Sequence, residues 1–237
     1  QDMNLDGKTA IVTGAASGFG AGIARSFAAE GAKVMVVDLD IDAAQAVATD
    51  IAGIAHRADV SNGDQVSDMI ETAIAQMNHV DILVNNAGIT RHARDHGDLD
   101  ALTRDDFLDV YAVNVVGPYL MLQAAKPLLV AAHGASGRAS AVLNTSSIAG
   151  VRGVGSSVAY AASKGALNTM TLSLARALAP AIRVNAICPG FIGTRWFRDT
   201  MDAESYAQTE ARIEAATPLG VASGPDDIAD AALFFLS

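Results

Sequence analysis

Cysteine is nearly absent from this chain: Cys188 stands alone among 237 residues, so no internal disulfide can staple the fold. Basic residues are scarce too. Lysine and arginine number 16 against 26 aspartates and glutamates, which leaves a formal net charge of -10 and a pI near 4.7. That balance excludes the basic footprint by which nucleic acid or an anionic membrane surface is recognised. Proline, at six residues, nowhere gathers with glycine into a linker, and 237 residues suffice for one large core, so a single domain over 1–237 is expected. No basic-then-apolar leader opens the sequence, and with the lone cysteine this points to a cytoplasmic setting. The most apolar stretch, 113–132, is interrupted by Asn114, Gln123, Lys126 and Pro127. It falls short of an uninterrupted spanning run, so no membrane partner is expected, and it reads as a helix buried on several sides. Cys188, next to Pro189 at a strand end, reads as buried packing.

What is present is an alternation. Short runs rich in β-branched residues at 8–13, 33–38, 54–57, 81–84, 140–145 and 182–187 alternate with longer helical patterns. Such alternation predicts an α/β fold, a doubly wound parallel sheet with helices on both faces and ligands along its carboxyl edge.

The first strand breaks into Gly14-Ala-Ala-Ser17-Gly18-Phe19-Gly20 before a helical pattern through Ile23 and Phe27. Glycines at such a strand-to-helix turn allow close backbone approach, and a pyrophosphate can rest on the unpaired N–H groups of the helix start. The spacing is Gly-x-x-x-Gly-x-Gly, a different branch of the dinucleotide architecture from Gly-x-Gly-x-x-Gly. The next strand ends in Asp38, eighteen positions after Gly20. A carboxylate there accepts hydrogen bonds from ribose hydroxyls and repels a 2′-phosphate, and Leu39 rather than an arginine follows it, so NAD is favoured over NADP. The alternative for Asp38 is a cap on the helix starting near Ile41.

A second signal lies far down the chain. Tyr160 precedes Lys164 by one helical turn within the small-residue segment 156–167, and Ser147 stands thirteen positions before the tyrosine. With only four tyrosines and four lysines in the chain, Tyr-x-x-x-Lys is an uncommon coincidence. A nearby ammonium favours a phenolate, which predicts a tyrosine pKa lowered toward neutrality and a group able to exchange protons with an alcohol or carbonyl oxygen.

Taken in order, Thr13 to Gly20, Asp59-Val60, Asn85-Asn86-Ala87-Gly88, Asn114, Asn144 to Gly150, Tyr160 with Lys164, and Cys188 to Thr194 resemble the motif series of the short-chain dehydrogenase/reductase family. The resemblance runs from about Leu5 to the last residue. It implies a Rossmann-like sheet of order 3-2-1-4-5-6, with a seventh strand that this chain does not contain. It implies an NAD-dependent oxidoreductase acting on a small-molecule alcohol or carbonyl substrate, with an NADPH-dependent 3-oxoacyl carrier-protein reductase as the rival and a non-catalytic dinucleotide-binding protein as the alternative of another class. By the same resemblance Tyr160 is the general acid/base, Ser147 holds the carbonyl, Lys164 binds the nicotinamide ribose and Asn114 anchors a proton relay. Cofactor contacts carry over to Gly14, Ser17, Gly18, Phe19, Gly20, Asp38, Leu39, Asp59, Val60, Asn86, Ala87, Gly88, Pro189, Gly190, Ile192 and Thr194, besides Tyr160 and Lys164 themselves. A homotetramer is implied, joined through the 113–132 helix and the helix of Tyr160.

The charged loop after the fourth strand holds His92 and His96 without a convergent acid or cysteine set, so no metal site is expected, and Arg91, His92 or Arg94 can instead reach a polar or anionic substrate. Residues 195–217, opening with Arg195, Trp196 and Phe197, read as a substrate lid.

Overall fold

The computed structural model describes residues 4–93, 95–190 and 202–236. Six strands, β1 (Thr9–Thr13), β2 (Lys33–Asp38), β3 (Ile54–Arg57), β4 (Ile82–Asn85), β5 (Ser140–Thr145) and β6 (Ile182–Ile187), form one parallel sheet of order β3-β2-β1-β4-β5-β6. The order reverses between β1 and β4, which opens a crevice at their carboxyl ends. The connecting helices are α1 (Gly18–Ala29), α2 (Ile41–Asp50), α3 (Gly63–Met77), α4 (Arg104–Tyr111), α5 (Gly117–Ser136), α6 (Ala149–Arg152) and α7 (Val158–Leu178). Two more, α8 (Ala203–Ala216) and α9 (Pro225–Leu236), follow β6.

Successive strand side chains point to opposite faces. Val12, Val36, Val84 and Leu143 join Ile23 and Phe27 of α1 and Leu233 of α9 in one apolar layer. Their neighbours Ile11, Val37, Leu83 and Val142 join Met69 of α3 and Met121 and Leu129 of α5 in the other. Both faces are covered, which is why the central strands are apolar without alternation.

Helix α5 corrects one expectation. Its buried positions, Gly117, Pro118, Met121, Leu122, Ala125, Leu129 and Ala132, form a single stripe, and Tyr119 and Val130 face outward. The continuous helical stretch Arg104–Ser136 is long and apolar enough to cross a membrane by composition, yet this stripe is part of the core.

The strands begin and end within a residue of their predicted limits. Just before β4 the backbone of Asp81 already bonds both neighbours, its N donating to Thr9 O and its O accepting from Ala141 N, while its carboxylate accepts from Lys8 Nζ (2.9 Å) and from Thr9 N (3.0 Å), with His79 Nε2 at 3.1 Å. Asp81 is nearly buried while Lys8 and His79 remain partly exposed, and the group ties the start of β1 to the start of β4. Removing the carboxylate leaves the buried Thr9 N without this acceptor, while Lys8 and His79 can turn to solvent. Asp81→Ala should therefore lower unfolding free energy by about 1–2 kcal/mol, read from the urea midpoint at constant m. A loss under about 0.5 kcal/mol would show that the cluster is only decorative.

Candidate active site

The turn after β1 is shaped by what it must avoid. Gly14 and Gly18 have φ of 61° and 54°, the left-handed region that glycine enters without cost. A Cβ on Gly14 would stand 2.8 Å from Ala87 Cα, and one on Gly20 would stand 2.2 Å from Gly14 O. Gly20 thus serves the packing of α1 against the turn and does not itself line the cleft. The N-cap of α1, Ser17, makes no side-chain capping bond, so the helix start keeps N–H groups for an anion. Asn86 secures the turn from the far side of the crevice. Its Nδ2 donates to Thr13 O (3.1 Å) and Gly14 O (3.0 Å), while Asn86 N and Ala87 N donate to Thr13 Oγ1.

At the end of β2, Asp38 is held by backbone: Oδ2 accepts from Ala16 N (3.0 Å) and Oδ1 from Asp40 N (3.2 Å). The cap of α2 is Asp40, which accepts from Ala43 N, so the capping alternative for Asp38 fails. Asp59 is turned inward by Ser61, whose N and Oγ both donate to its Oδ1.

On the other side of the crevice, Ser147 follows β5 and Tyr160 and Lys164 lie on one face of α7. Helix α7 starts where it does because Ser157 caps it, accepting from Tyr160 N at 3.2 Å. Lys164 is 4% exposed; its Nζ donates to Thr145 O (2.8 Å) and lies 5.7 Å from the Tyr160 ring centroid. The small helix α6 brings Gly150 so close to α7 that a Cβ there would meet Lys164 C at 2.4 Å. Asn114 sits in a π-helical turn, Ala112–Val116, between α4 and α5. Fully buried, it does not line the cleft; it brackets Ile89, accepting from Ile89 N and donating to Ile89 O (both 2.9 Å), and donates to Ser163 Oγ (3.0 Å).

These groups share one cleft of about 910 Å³. Gly14, Ser17, Gly18, Phe19, Asp38, Leu39, Asp59, Val60, Asn86, Ala87, Gly88, Ser147, Tyr160, Lys164 and Gly190 all line it. Pro189 is buried behind, its carbonyl accepting from Ile148 N. Ile192, Thr194, Arg94 and the lid opening Arg195, Trp196 and Phe197 lie outside the described residues.

Two expectations are corrected. Among the protein's own groups the phenol of Tyr160 is not made more acidic: burial raises its pKa above the ordinary value, and a hydrogen bond with Ser147 opposes this. Burial also pushes the pKa of Lys164 down to about 8, a nearby Cys188 acting in the other direction, so at neutral pH it is still mostly an ammonium, yet the desolvation of the phenol outweighs it. Cys188 is exposed, not packed inside; its Sγ lies 3.6 Å from Asn168 Oδ1.

Sequence reasoning missed Thr145. Its Oγ1 is buried without a partner among the described residues, it lines the cleft, and its carbonyl anchors Lys164. The available signal was its place as last residue of a strand running into Ser146 and Ser147. Arg91 and His92 do line the cleft, as expected, but the Arg91 guanidinium is already paired with Asp106 and Asp109 at 3.2 Å each.

The observations of an uncapped helix start, a glycine cradle that a Cβ would fill and an orphaned hydroxyl in the cleft fit a dinucleotide. Comparison with known proteins agrees. A family model described as enoyl-(acyl carrier protein) reductase matches residues 14–237. The chain is similar to galactitol 2-dehydrogenase of Agrobacterium fabrum, 35% identical over 246 residues that cover 99% of this chain and 92% of the relative. It is similar to a 3-oxoacyl-(acyl-carrier-protein) reductase of Thermotoga maritima, 33% identical, covering 99% and 92%. Among solved structures, a 3-ketoacyl-(acyl-carrier-protein) reductase from Brucella melitensis complexed with NADH superposes with a TM-score of 0.87 at 37% identity, covering 99% of this chain and 92% of that one.

Proposed function

The chain belongs to the short-chain dehydrogenase/reductase family and is an oxidoreductase of alcohols and ketones, and from that premise we propose that it prefers NAD and uses Tyr160 as its general acid/base. The observation that carries this reading is the convergence of Ser147, Tyr160 and Lys164 on the cleft that also holds the glycine turn and Asp38. A nicotinamide dinucleotide bound there would supply the hydride acceptor or donor.

The residues divide the remaining work. Gly14, Ser17, Gly18 and Phe19 receive the pyrophosphate end, with Asp59 and Val60 toward the adenine and Asn86 to Gly88 beside the ribose. Ile192 and Thr194 complete the carboxamide end in this reading. Ser147 donates to the substrate oxygen, which gains negative charge in a reduction. Tyr160 supplies the proton to that oxygen; burial raises its pKa, so it holds this proton at neutral pH and yields it to the oxygen only as negative charge develops there. In the oxidation direction the same phenol must first lose its proton, so alkaline conditions favour that direction. Asn114, locked onto Ile89 and Ser163, positions the wall beside Gly88 and Lys164 and, by family analogy, anchors the proton relay.

The NAD preference rests on Asp38, whose carboxylate is aimed by two backbone N–H groups at the cleft. A 2′-phosphate would meet that charge at close range. Asp38→Asn removes the charge and, since an amide nitrogen cannot accept, keeps one of the two backbone hydrogen bonds, so NADPH should tighten about tenfold relative to NADH, measured by paired fluorescence titrations. Tighter NADPH binding by the parent protein would overturn the preference and favour the NADPH-dependent 3-oxoacyl reductase reading.

The same reading has a homotetramer in the cytoplasm. Support for assembly comes from the outward apolar side chains of α4, α5 and α7: Phe107, Leu108, Tyr119, Val130 and Leu172. Residues 195–217 act as the lid in this reading; their described part carries α8, none of whose residues is fully buried.

A further inference from the structure

The cleft extends beyond Tyr160 and Ser147 to a polar wall made by Arg91, His92 and Asp109. Positions along the α4–α5 helix show which end of the cleft this is. Gly117 abuts Val60, where a Cβ would stand 2.7 Å from Val60 Cγ2, and Asn114 faces Gly88. Asp109 lies five residues before Asn114, roughly 7 Å further along at the usual helical rise. Val60 and Asp109 thus mark opposite ends of this helical stretch, with Asn114, Gly88 and Lys164 Nζ at its middle, and the Asp109 end is the one left for the substrate's remaining carbons when the adenine lies toward Val60.

Arg91 is fixed in place there by three bonds. Nε donates to Asp106 Oδ1 (3.2 Å), Nη2 to Asp109 Oδ2 (3.2 Å) and Nη1 to Thr90 O (3.3 Å). Asp106 is itself fixed, since it accepts from Thr103 N and Oγ1 in the capping box of α4. The cation is thus met by two carboxylates, and the trio carries one net negative charge. Around it, residues 95–109 hold six aspartates against one arginine. A carboxylate, phosphate or acidic carrier would meet repulsion at this mouth. A neutral hydroxyl would not: a carboxylate has about four lone-pair sites, of which Arg91 uses a part, so Asp109 can accept from hydroxyls while the guanidinium edge donates to them.

Resting on the oxidoreductase reading above, we propose that the Arg91–Asp109 pair is a specificity element for a neutral polyhydroxylated substrate, a polyol and its keto sugar, gripping a hydroxyl on a carbon beyond the one that reacts. In the oxidation Tyr160 first gives its proton to solvent; the reacting C–H would then leave as hydride to the oxidised nicotinamide dinucleotide while the O–H proton passes to the Tyr160 phenolate, which leaves the ketose.

The test compares four- to six-carbon polyols with 2-butanol and with acetoacetyl-coenzyme A in the full chain, followed at the nicotinamide absorbance. At least one polyol should exceed 2-butanol in kcat/KM by about tenfold or more, and Asp109→Ala should cut that polyol-to-butanol ratio by about tenfold, mostly through KM. Asp109→Glu should recover part of the ratio. NADH titration of each variant separates a lost substrate contact from a damaged fold. A parent that prefers 2-butanol or acetoacetyl-coenzyme A, or an Asp109→Ala ratio within about twofold of the parent, overturns the polyol assignment and leaves the oxidoreductase reading intact. Turnover of no alcohol or ketone by the parent removes both.

Discussion

Tyr160→Phe should lower kcat/KM by about a thousandfold or more, on the order of 4 kcal/mol of barrier, while NADH still binds. The phenylalanine keeps the ring that Lys164 approaches at 5.7 Å and leaves the glycine turn untouched, so the cofactor half of the cleft should not change. What disappears is one transferable proton and its hydrogen bond with Ser147. Because only the transition state requires that proton, the loss should fall mainly on kcat. Activity within about tenfold of the parent would assign proton transfer elsewhere.

Lys164→Met should also be inactive, by about a hundredfold or more, and it makes a second, thermodynamic claim. The lysine is nearly inaccessible, and burial holds its pKa at about 8 against an ordinary 10.5. Below pH 8 the folded protein carries the cost of a buried ammonium; between about 8 and 10.5 the folded state releases the proton while the unfolded chain still binds it. Stability attributable to this group therefore rises with pH across that window, by on the order of 3 kcal/mol in total. Methionine has nearly the same volume and no proton to lose, so the variant should lack this rise. Urea unfolding of both proteins at pH 7.5 and at pH 10 measures it, since every other group titrates alike in the two. Parallel pH profiles would mean that Lys164 is solvated like a surface lysine.

Much of the architecture was legible because strands here are fully buried. Residues such as Val34 to Val37 or Ala141 to Leu143 face apolar layers on both sides, so apolar runs broken by glycine or asparagine mark each strand directly. Motif order carried the site for the same reason, since Thr13, Asn85 and Thr145 are strand ends and the chain turns at each into the crevice. Protonation was not legible. Spacing put Tyr160 and Lys164 on one face, but it could not reveal that Lys164 spends a hydrogen bond on Thr145 O or that both side chains are desolvated. The pairing of Arg91 with Asp106 and Asp109 was equally hidden, because its partners lie fifteen and eighteen residues away across a loop. Asn114 was legible as a motif residue, whereas the π turn that seats it follows from tertiary packing.

The pairing of β1 with β4, which matches Ala10 to Ile82, has a further consequence for synthesis on the ribosome. When only the nucleotide half has emerged, β1 and β2 can already align, yet the other edge of β1 still exposes its ladder groups beside Ile11 and Val12. That edge invites aggregation until Ile82 to Asn85 leave the exit tunnel and cover it. Translation pausing shortly before residue 82 would prolong this exposure, whereas pausing after residue 85 would not.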